Sequence, residues 1–183
     1  MIKRISKGKI INPAFFVFCE GETEEAYVKY LRSTYRLPIE IKSKIAGNDI
    51  TSRYINDFKK QNFNLRDDKT FLVYDWDVAA MKQRLLGIKD AYLLYSNPCF
   101  ELWYLLHFQN QTANLTSEEC VSKLKNYNNS YKKGALDEKL KSKLADNKGK
   151  AISIAKRLAE FCNPSTTVYK LVEELEEIKK QKN

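Results

Sequence analysis

Two aspartates separated by one residue end a short apolar run, Phe71-Leu-Val-Tyr-Asp-Trp-Asp77. The run is aromatic and β-branched and follows a polar stretch, a pattern that predicts a buried strand. Side chains alternate along a strand, so Asp75 and Asp77 would share one side if strand geometry persists through them. Two such carboxylates repel unless a cation lies between them, and Mg²⁺ and Mn²⁺ prefer oxygen ligands. The spacing indicates a divalent-metal site, with an acidic cap on the next turn as the alternative.

The elements that would position these aspartates alternate between strands and helices. Strands are expected at 14–19, 39–45, 71–77 and 90–95, and helices at 24–35, 50–63, 78–86 and 99–108. Such alternation predicts an α/β fold with an open, mostly parallel sheet of about four strands flanked by helices. Open sheets of this kind bind ligands at the carboxyl ends of their strands. The aspartates are expected at that edge.

Three glutamates are expected to converge on the same edge. Glu20 follows the first strand, Glu24 lies one helical turn later, and Glu101 enters from the helix after the fourth strand. Acids in this arrangement hold one or two divalent ions that activate water and stabilise the attacking and leaving oxygens of a phosphoryl group. The five acids therefore predict metal-assisted phosphoryl chemistry.

The composition changes after residue 109. Helices are expected to begin at Thr116 and to follow at about 137–145, 149–162 and 165–180, with a short polar linker before the last. We expect residues 14–108 to form the metal-binding core and residues 109–183 to form a helical region that packs on it as one structural unit.

The chain is basic, with a formal net charge of +9 and a pI of about 9.2. A soluble protein with this charge often binds a polyanion, of which nucleic acid is the usual example. Four loop lysines are candidates for phosphate contacts, although a solvated surface is the alternative: Lys132, Lys133, Lys148 and Lys150.

Several classes of protein are disfavoured by what the sequence lacks. The four cysteines are far apart and there is a single histidine, so a zinc site is not expected. No apolar run approaches the roughly 20 residues of a membrane helix, and no secretory segment is apparent, which predicts a cytoplasmic protein without a membrane partner. A Walker-type Gly-rich Lys loop is absent, which disfavours nucleotide hydrolysis by this chain.

Four stretches together resemble the RloB family, over about residues 14–175. They are Glu20-Gly-Glu-Thr-Glu24, Asp75-Trp-Asp77, Asn97-Pro-Cys-Phe-Glu-Leu-Trp-Tyr-Leu-Leu-His-Phe108 and Asn163-Pro-Ser-Thr-Thr-Val-Tyr-Lys-Leu-Val172. The Asp75-Trp-Asp77 motif is common in proteins. The stretches that begin at Asn97 and at Asn163 are the most specific to the family. The RloB family is similar to Toprim domains, the metal-binding module of topoisomerases, primases and OLD-type nucleases.

The resemblance implies a Toprim-like sheet and a presumed nuclease role in prokaryotic antiviral defence, often beside an AAA-type ATPase. The glutamate of Toprim domains corresponds to Glu20, and their Asp-x-Asp motif to Asp75 and Asp77. Relatives carry further polar or acidic residues just after that motif, where this chain has Val78-Ala79-Ala80. The number of metal ions, one or two, stays open.

The first interpretation is therefore a Mg²⁺- or Mn²⁺-dependent nuclease that acts on DNA or RNA. Glu20 would bind metal or act as a general acid or base, Asp75 and Asp77 would bind metal, and Glu24 and Glu101 would complete or orient the site. The second is a nucleic-acid or ATPase-partner binding module whose acidic site no longer cuts. The third is a metal-dependent phosphotransferase that acts on a small phosphate ester. Each of these three interpretations is compatible with a homo-oligomer.

Overall fold

A computed structural model describes residues 13–37, 40–62 and 68–182. Its strands are β1 (Ala14–Cys19), β2 (Glu40–Ile45), β3 (Lys69–Asp75), β4 (Tyr92–Asn97) and β5 (Ser165–Thr166). Its helices are α1 (Glu22–Tyr35), α2 (Ser52–Lys60), α3 (Ala79–Leu86), α4 (Glu101–Leu105), α5 (Ser117–Tyr127), α6 (Glu138–Asp146), α7 (Lys148–Ala155) and α8 (Tyr169–Lys182). A short 3₁₀ helix, Gly47–Asp49, follows β2.

The five strands form one sheet in the order β2-β1-β3-β4-β5. The first four run parallel, which confirms the predicted α/β class, whereas β5 pairs with β4 in the antiparallel direction. The sequence pattern predicts about four strands and assigns residues 165–166 to the linker and the start of the last helix, so β5 is an additional strand. The Ser96 hydroxyl is hydrogen-bonded to the Thr166 hydroxyl at 2.8 Å, so polar side chains hold this short strand to the sheet.

Both faces of the sheet are covered, which explains why its inner strands are continuously apolar. Odd-numbered residues of β1, such as Phe15 and Val17, pack in a cluster with α1, α4 and the helices of the C-terminal region. Phe16 and Phe18 face the other side and pack in a second cluster that contains residues of α2 and α3. None of the helices in the described residues is long and apolar enough to span a membrane.

Three helices differ most from the sequence prediction. The helix expected at 99–108 is the short α4, because the chain then tightens into turns in which His107 and Phe108 donate to the carbonyls three residues before them. The same tightening ends α7 at Ala155, where the sequence predicted a helix to residue 162. The last helix begins at Tyr169, not at 165, because the preceding residues join the sheet.

His107 follows α4 in an apolar stretch and is buried. Its Nδ1 lies 2.8 Å from the Trp103 carbonyl oxygen, and burial lowers its pKa to about 4. The unfolded chain therefore binds this proton more readily than the folded chain, and acid favours unfolding between the unfolded pKa of about 6.5 and the folded pKa of about 4.

We expect His107 to lower the free energy of unfolding by up to about 3 kcal/mol on acidification from about pH 7 to about pH 4. The raised pKa values of Glu24 and Asp75 act in the opposite direction, so wild type must be compared with His107→Gln. Urea denaturation at both pH values is the measurement. The variant should lose less stability on acidification than wild type, and an equal loss would contradict the assignment.

Candidate active site

The ends of the adjacent strands β1 and β3 bring two of the predicted acids together. The strands pair in parallel with Cys19 opposite Val73, and the Glu20 N–H donates to the Val73 carbonyl at 3.0 Å. The Glu20 carboxylate in turn accepts a hydrogen bond of 2.8 Å from the Asp75 backbone N–H. The sheet register therefore places Glu20 against the last residue of β3.

Glu24 lies in the first turn of α1 and is buried. Its Oε2 accepts a hydrogen bond of 3.0 Å from the backbone N–H of Gly21, the residue before the helix. This contact satisfies one of the N–H groups that a helix leaves unpaired at its start. It also fixes the carboxyl group at the beginning of α1, beside the strand end that carries Glu20.

Glu101 begins α4 and is only 2% exposed. Its Oε1 accepts a hydrogen bond of 2.8 Å from the Tyr131 hydroxyl and lies 3.8 Å from the Lys133 ammonium. A buried carboxylate needs such partners, because loss of hydration otherwise strongly disfavours its charge. The site therefore includes the loop between α5 and α6, which supplies both partners.

Gly134 allows that loop to lie close to α1. Its φ angle is +73°, and a Cβ at this position would lie 2.9 Å from a Glu22 carboxylate oxygen. The Gly134 N–H donates to the Thr23 hydroxyl at 3.2 Å. Tyr131 could not be identified from the sequence, because a tyrosine in a polar loop gives no signal of its partner, and Gly134, three residues later, was the one indication of a close approach.

Asp77 is exposed and lies beyond the end of β3 at Asp75, so strand alternation does not set its direction. Its charge is nevertheless among the causes that raise the pKa of Glu20, after burial. All five acids named from the sequence therefore interact, either through contacts or through electrostatic effects on one another's pKa values.

The four candidate lysines differ in their surroundings. Lys133 contacts Glu101, and Lys132 is exposed beside it. Lys148 forms an ion pair with Glu176 of α8 and a hydrogen bond to the Tyr35 hydroxyl, and Lys150 is exposed on α7. The structure thus brings Lys133 to the acids and gives Lys148 a different carboxylate partner.

The acids disfavour one another's charge. Burial raises the pKa of Asp75 to about 10, with further contributions from Glu24 and Glu20. Burial likewise raises the pKa of Glu24 to about 7, and Glu20 and Glu101 add to the effect. The pKa of Glu20 is also raised, chiefly by burial, although the Asp75 N–H opposes the shift. One Asp75 oxygen, Oδ1, is buried and has no hydrogen-bond partner among the described residues.

Lys133 balances only part of this negative charge. Its pKa is raised chiefly by Glu101, and Asp75 and Glu24 contribute. Within residues 13–37, 40–62 and 68–182, no three His, Cys, Asp or Glu side chains already have the arrangement of a metal shell. The oxygen donors and the unpartnered Asp75 Oδ1 are nevertheless of the type that a hard divalent cation requires.

A structural similarity was found to the C-terminal region of the Burkholderia pseudomallei OLD protein. It covers 91% of this chain and 97% of that chain, with 13% sequence identity and a TM-score of 0.36. The curated proteins contain no match to the chain.

A sequence profile described as RloB-like protein matches residues 15–175. The matched region takes in β1 to β5 and all five candidate acids, from Glu20 to Glu101. It thus covers most of the chain, and it confirms the resemblance seen in the four sequence stretches. The chain therefore belongs to the RloB family.

Proposed function

We propose that the chain is a nuclease that hydrolyses phosphodiester bonds of DNA or RNA with Mg²⁺ or Mn²⁺. The observation that carries this proposal is the group of acids at the ends of β1 and β3, with one buried Asp75 oxygen left unpartnered. A divalent cation would favour the ionised form of these carboxyl groups, whose charge burial and mutual repulsion otherwise disfavour. The RloB membership and the basic net charge of +9 support a polyanionic substrate.

The residues divide into three proposed roles. Asp75, Glu20 and Glu24 would hold the metal, Asp77 would join them from the exposed rim, and Glu101 would complete or orient the site. A bound divalent ion supplies a water of lowered pKa and positive charge for the phosphate oxygens. Because no complete shell is preformed among the described side chains, binding would include movement of these carboxyl groups.

Glu20 is the best placed of the acids to move a proton. Its carboxylate is oriented by the Asp75 N–H. Its pKa is raised and so lies closer to neutral pH than the pKa of an exposed glutamate. Lys133 faces the acids from the opposite loop and would offset part of their repulsion toward a phosphate group. Lys132 and Lys150, both exposed, and Lys148 stay candidates for contacts with the nucleic-acid backbone.

Membership of the RloB family also supports proposals about the core fold, the cellular role and the partner of the chain. We propose a Toprim-like core, an effector role in prokaryotic antiviral defence, and an AAA-type ATPase as partner. Val78, Ala79 and Ala80 are exposed directly after Asp77 and offer no further carboxylates. This favours, as the second candidate, a nucleic-acid or ATPase-partner binding module that does not cut.

Metal binding should appear as thermal stabilisation. Millimolar Mg²⁺ or Mn²⁺ should raise the melting temperature of wild type by about 5 °C, because a ligand bound only by the folded state stabilises it. Asp75→Asn should be more stable than wild type without metal, since a buried ionisable group is gone, and should respond less to metal. Differential scanning fluorimetry measures both effects.

The matched control for this experiment is Asp90→Asn. Asp90 is exposed just before β4, at the end of the sheet opposite the acids, and its φ angle of +63° suits asparagine as well. This variant should retain the full metal response. If wild type shows no shift in either metal, or if both variants respond as wild type does, these carboxylates do not form a metal site.

Asp77→Ala tests the chemistry. Cleavage of labelled DNA and RNA, single- and double-stranded, should require Mg²⁺ or Mn²⁺ and should slow by at least roughly 100-fold in the variant, as expected for a lost ligand. Affinity for nucleic acid should be unchanged or higher, because one repulsive charge is removed. The assay should include the AAA-type ATPase encoded beside the gene, where there is one, with Asp90→Asn as the matched control.

The outcomes separate the two candidate functions. Metal-dependent cutting that is lost in Asp77→Ala supports the nuclease. Binding without cutting, in every metal and with the ATPase present, supports the binding module. Cutting by Asp77→Ala at the wild-type rate would show that the nuclease activity does not depend on this site.

A further inference from the structure

Phe161, in the segment between α7 and β5, is an exposed aromatic residue that packs on side chains at the carboxyl ends of β3 and β4. Its side chain is 47% exposed, although its ring is stacked on Tyr95, with centroids 4.6 Å apart and planes at 15°. Trp76 contacts both rings in a tilted arrangement, with its centroid 5.0 Å from that of Phe161 and 5.4 Å from that of Tyr95. We call these three residues the aromatic platform. One face is supported by the buried rings, and part of the Phe161 ring is open to solvent.

The backbone of Phe161 is held in a conformation that its side chain does not favour. Its φ angle is +60°, which a bulky residue rarely adopts. Its N–H donates to the Tyr95 hydroxyl at 2.8 Å, and its carbonyl accepts a hydrogen bond of 3.4 Å from the Asn97 side chain. Glycine or asparagine would fit this backbone with less strain, so the contacts of the Phe161 ring with Tyr95 and Trp76 must offset the strain of its backbone.

The aromatic platform and the acids both lie at the carboxyl ends of the parallel strands. Trp76 is bonded directly to Asp75 and Asp77, and Tyr95 is the register partner of Tyr74 on the neighbouring strand. Trp76 and Tyr95 belong to the cluster on the α2 and α3 side of the sheet. The aromatic platform is therefore close to the acids along the chain but faces the other side of the sheet.

The charges around the aromatic platform suit a phosphate-bearing ligand. The Lys82 ammonium lies 5.6 Å from the centroid of the Trp76 ring. Glu160, next to Phe161 in the chain, lies 3.4 Å from the Lys170 ammonium, which offsets its negative charge. An aromatic face next to a cation is the combination that proteins use to bind a base and its adjoining phosphate.

We propose that the aromatic platform stacks against an unpaired base of a single-stranded nucleic acid, with Lys82 beside the adjoining phosphate. This inference rests on the proposed function and specifies its substrate class. A base inside a duplex is stacked on its neighbours and cannot present its face to Phe161 without being extruded. Trp103 and Tyr104, the aromatic residues of α4, are fully buried and cannot take this role.

The test is binding of a labelled single-stranded oligonucleotide of about 12 nucleotides, as DNA and as RNA, by fluorescence anisotropy. Ca²⁺ replaces Mg²⁺ so that binding is measured apart from cutting. Phe161→Ala should weaken single-strand binding on the order of 10-fold, the value of one lost base stack. Binding of a blunt duplex should not change, and Phe161→Trp should restore single-strand affinity.

Two further variants control for structure. Tyr92 is also an exposed aromatic residue, at 56%, and stacks on buried Phe71, but it lies at the opposite end of β4. Tyr92→Ala should bind as wild type does. Phe161→Asn accommodates the left-handed backbone, so it should keep the wild-type circular dichroism spectrum and still lose the affinity.

The results distinguish this inference from the proposed function. Weaker single-strand binding in both Phe161 variants supports the aromatic platform, even if no metal supports cutting and the nuclease is rejected. Equal binding by wild type and both variants, or no single-strand binding by wild type, overturns the aromatic platform. A metal-dependent cut of duplex that persists in Phe161→Ala would then leave the nuclease standing.

Discussion

The burial of carboxyl groups at the ends of two adjacent parallel strands is the constraint on which this site depends. Glu20 and Asp75 are close because β1 and β3 pair in parallel, and Glu24 joins them from the helix that follows β1. Loss of hydration raises the pKa of each group, and repulsion raises it further. Folding alone would be better served by apolar residues in these places, because buried polar groups without partners destabilise a protein. Their presence is consistent with selection for a function that needs a concentrated negative charge.

The C-terminal region contributes to the site as well as to the core. Its apolar residues share one cluster with the α1 side of the sheet, and its loop between α5 and α6 carries Tyr131 and Lys133 to Glu101. Gly134 makes this approach sterically feasible. A displacement of that loop would leave a buried carboxylate without its hydrogen bond and its nearest cation. The stability of the helical region and the electrostatics of the acids are thus coupled through Glu101.

Much of this arrangement could be predicted from local sequence patterns. Apolar runs of strand length predicted β1 and β3, and their alternation with helices predicted a parallel sheet. That order placed Glu20 and Asp75 together at the carboxyl ends of the strands. Features that depend on tertiary contacts could not be predicted in the same way. β5 has only two residues, too few to show a period, and side-chain hydroxyls hold it in place. Tyr131 and Phe161 lie in loops, where neither the partner nor the exposure of a side chain follows from its neighbours in sequence.

The alternation of side chains at the end of β3 also explains how one short segment can take two roles. Asp75 lies on the α1 side with the other acids, whereas Tyr74 and Trp76 pack in the cluster on the α2 side, where Trp76 contacts Phe161. A polynucleotide that crosses the edge of the sheet would meet carboxylates on one side and an aromatic surface on the other. A flexible single strand can bend across such an edge, whereas a stiff duplex would have to be deformed at an energetic cost. If the proposed nucleic-acid substrate binds across these strand ends, their geometry, more than the net charge of the chain, would favour a single strand over a duplex.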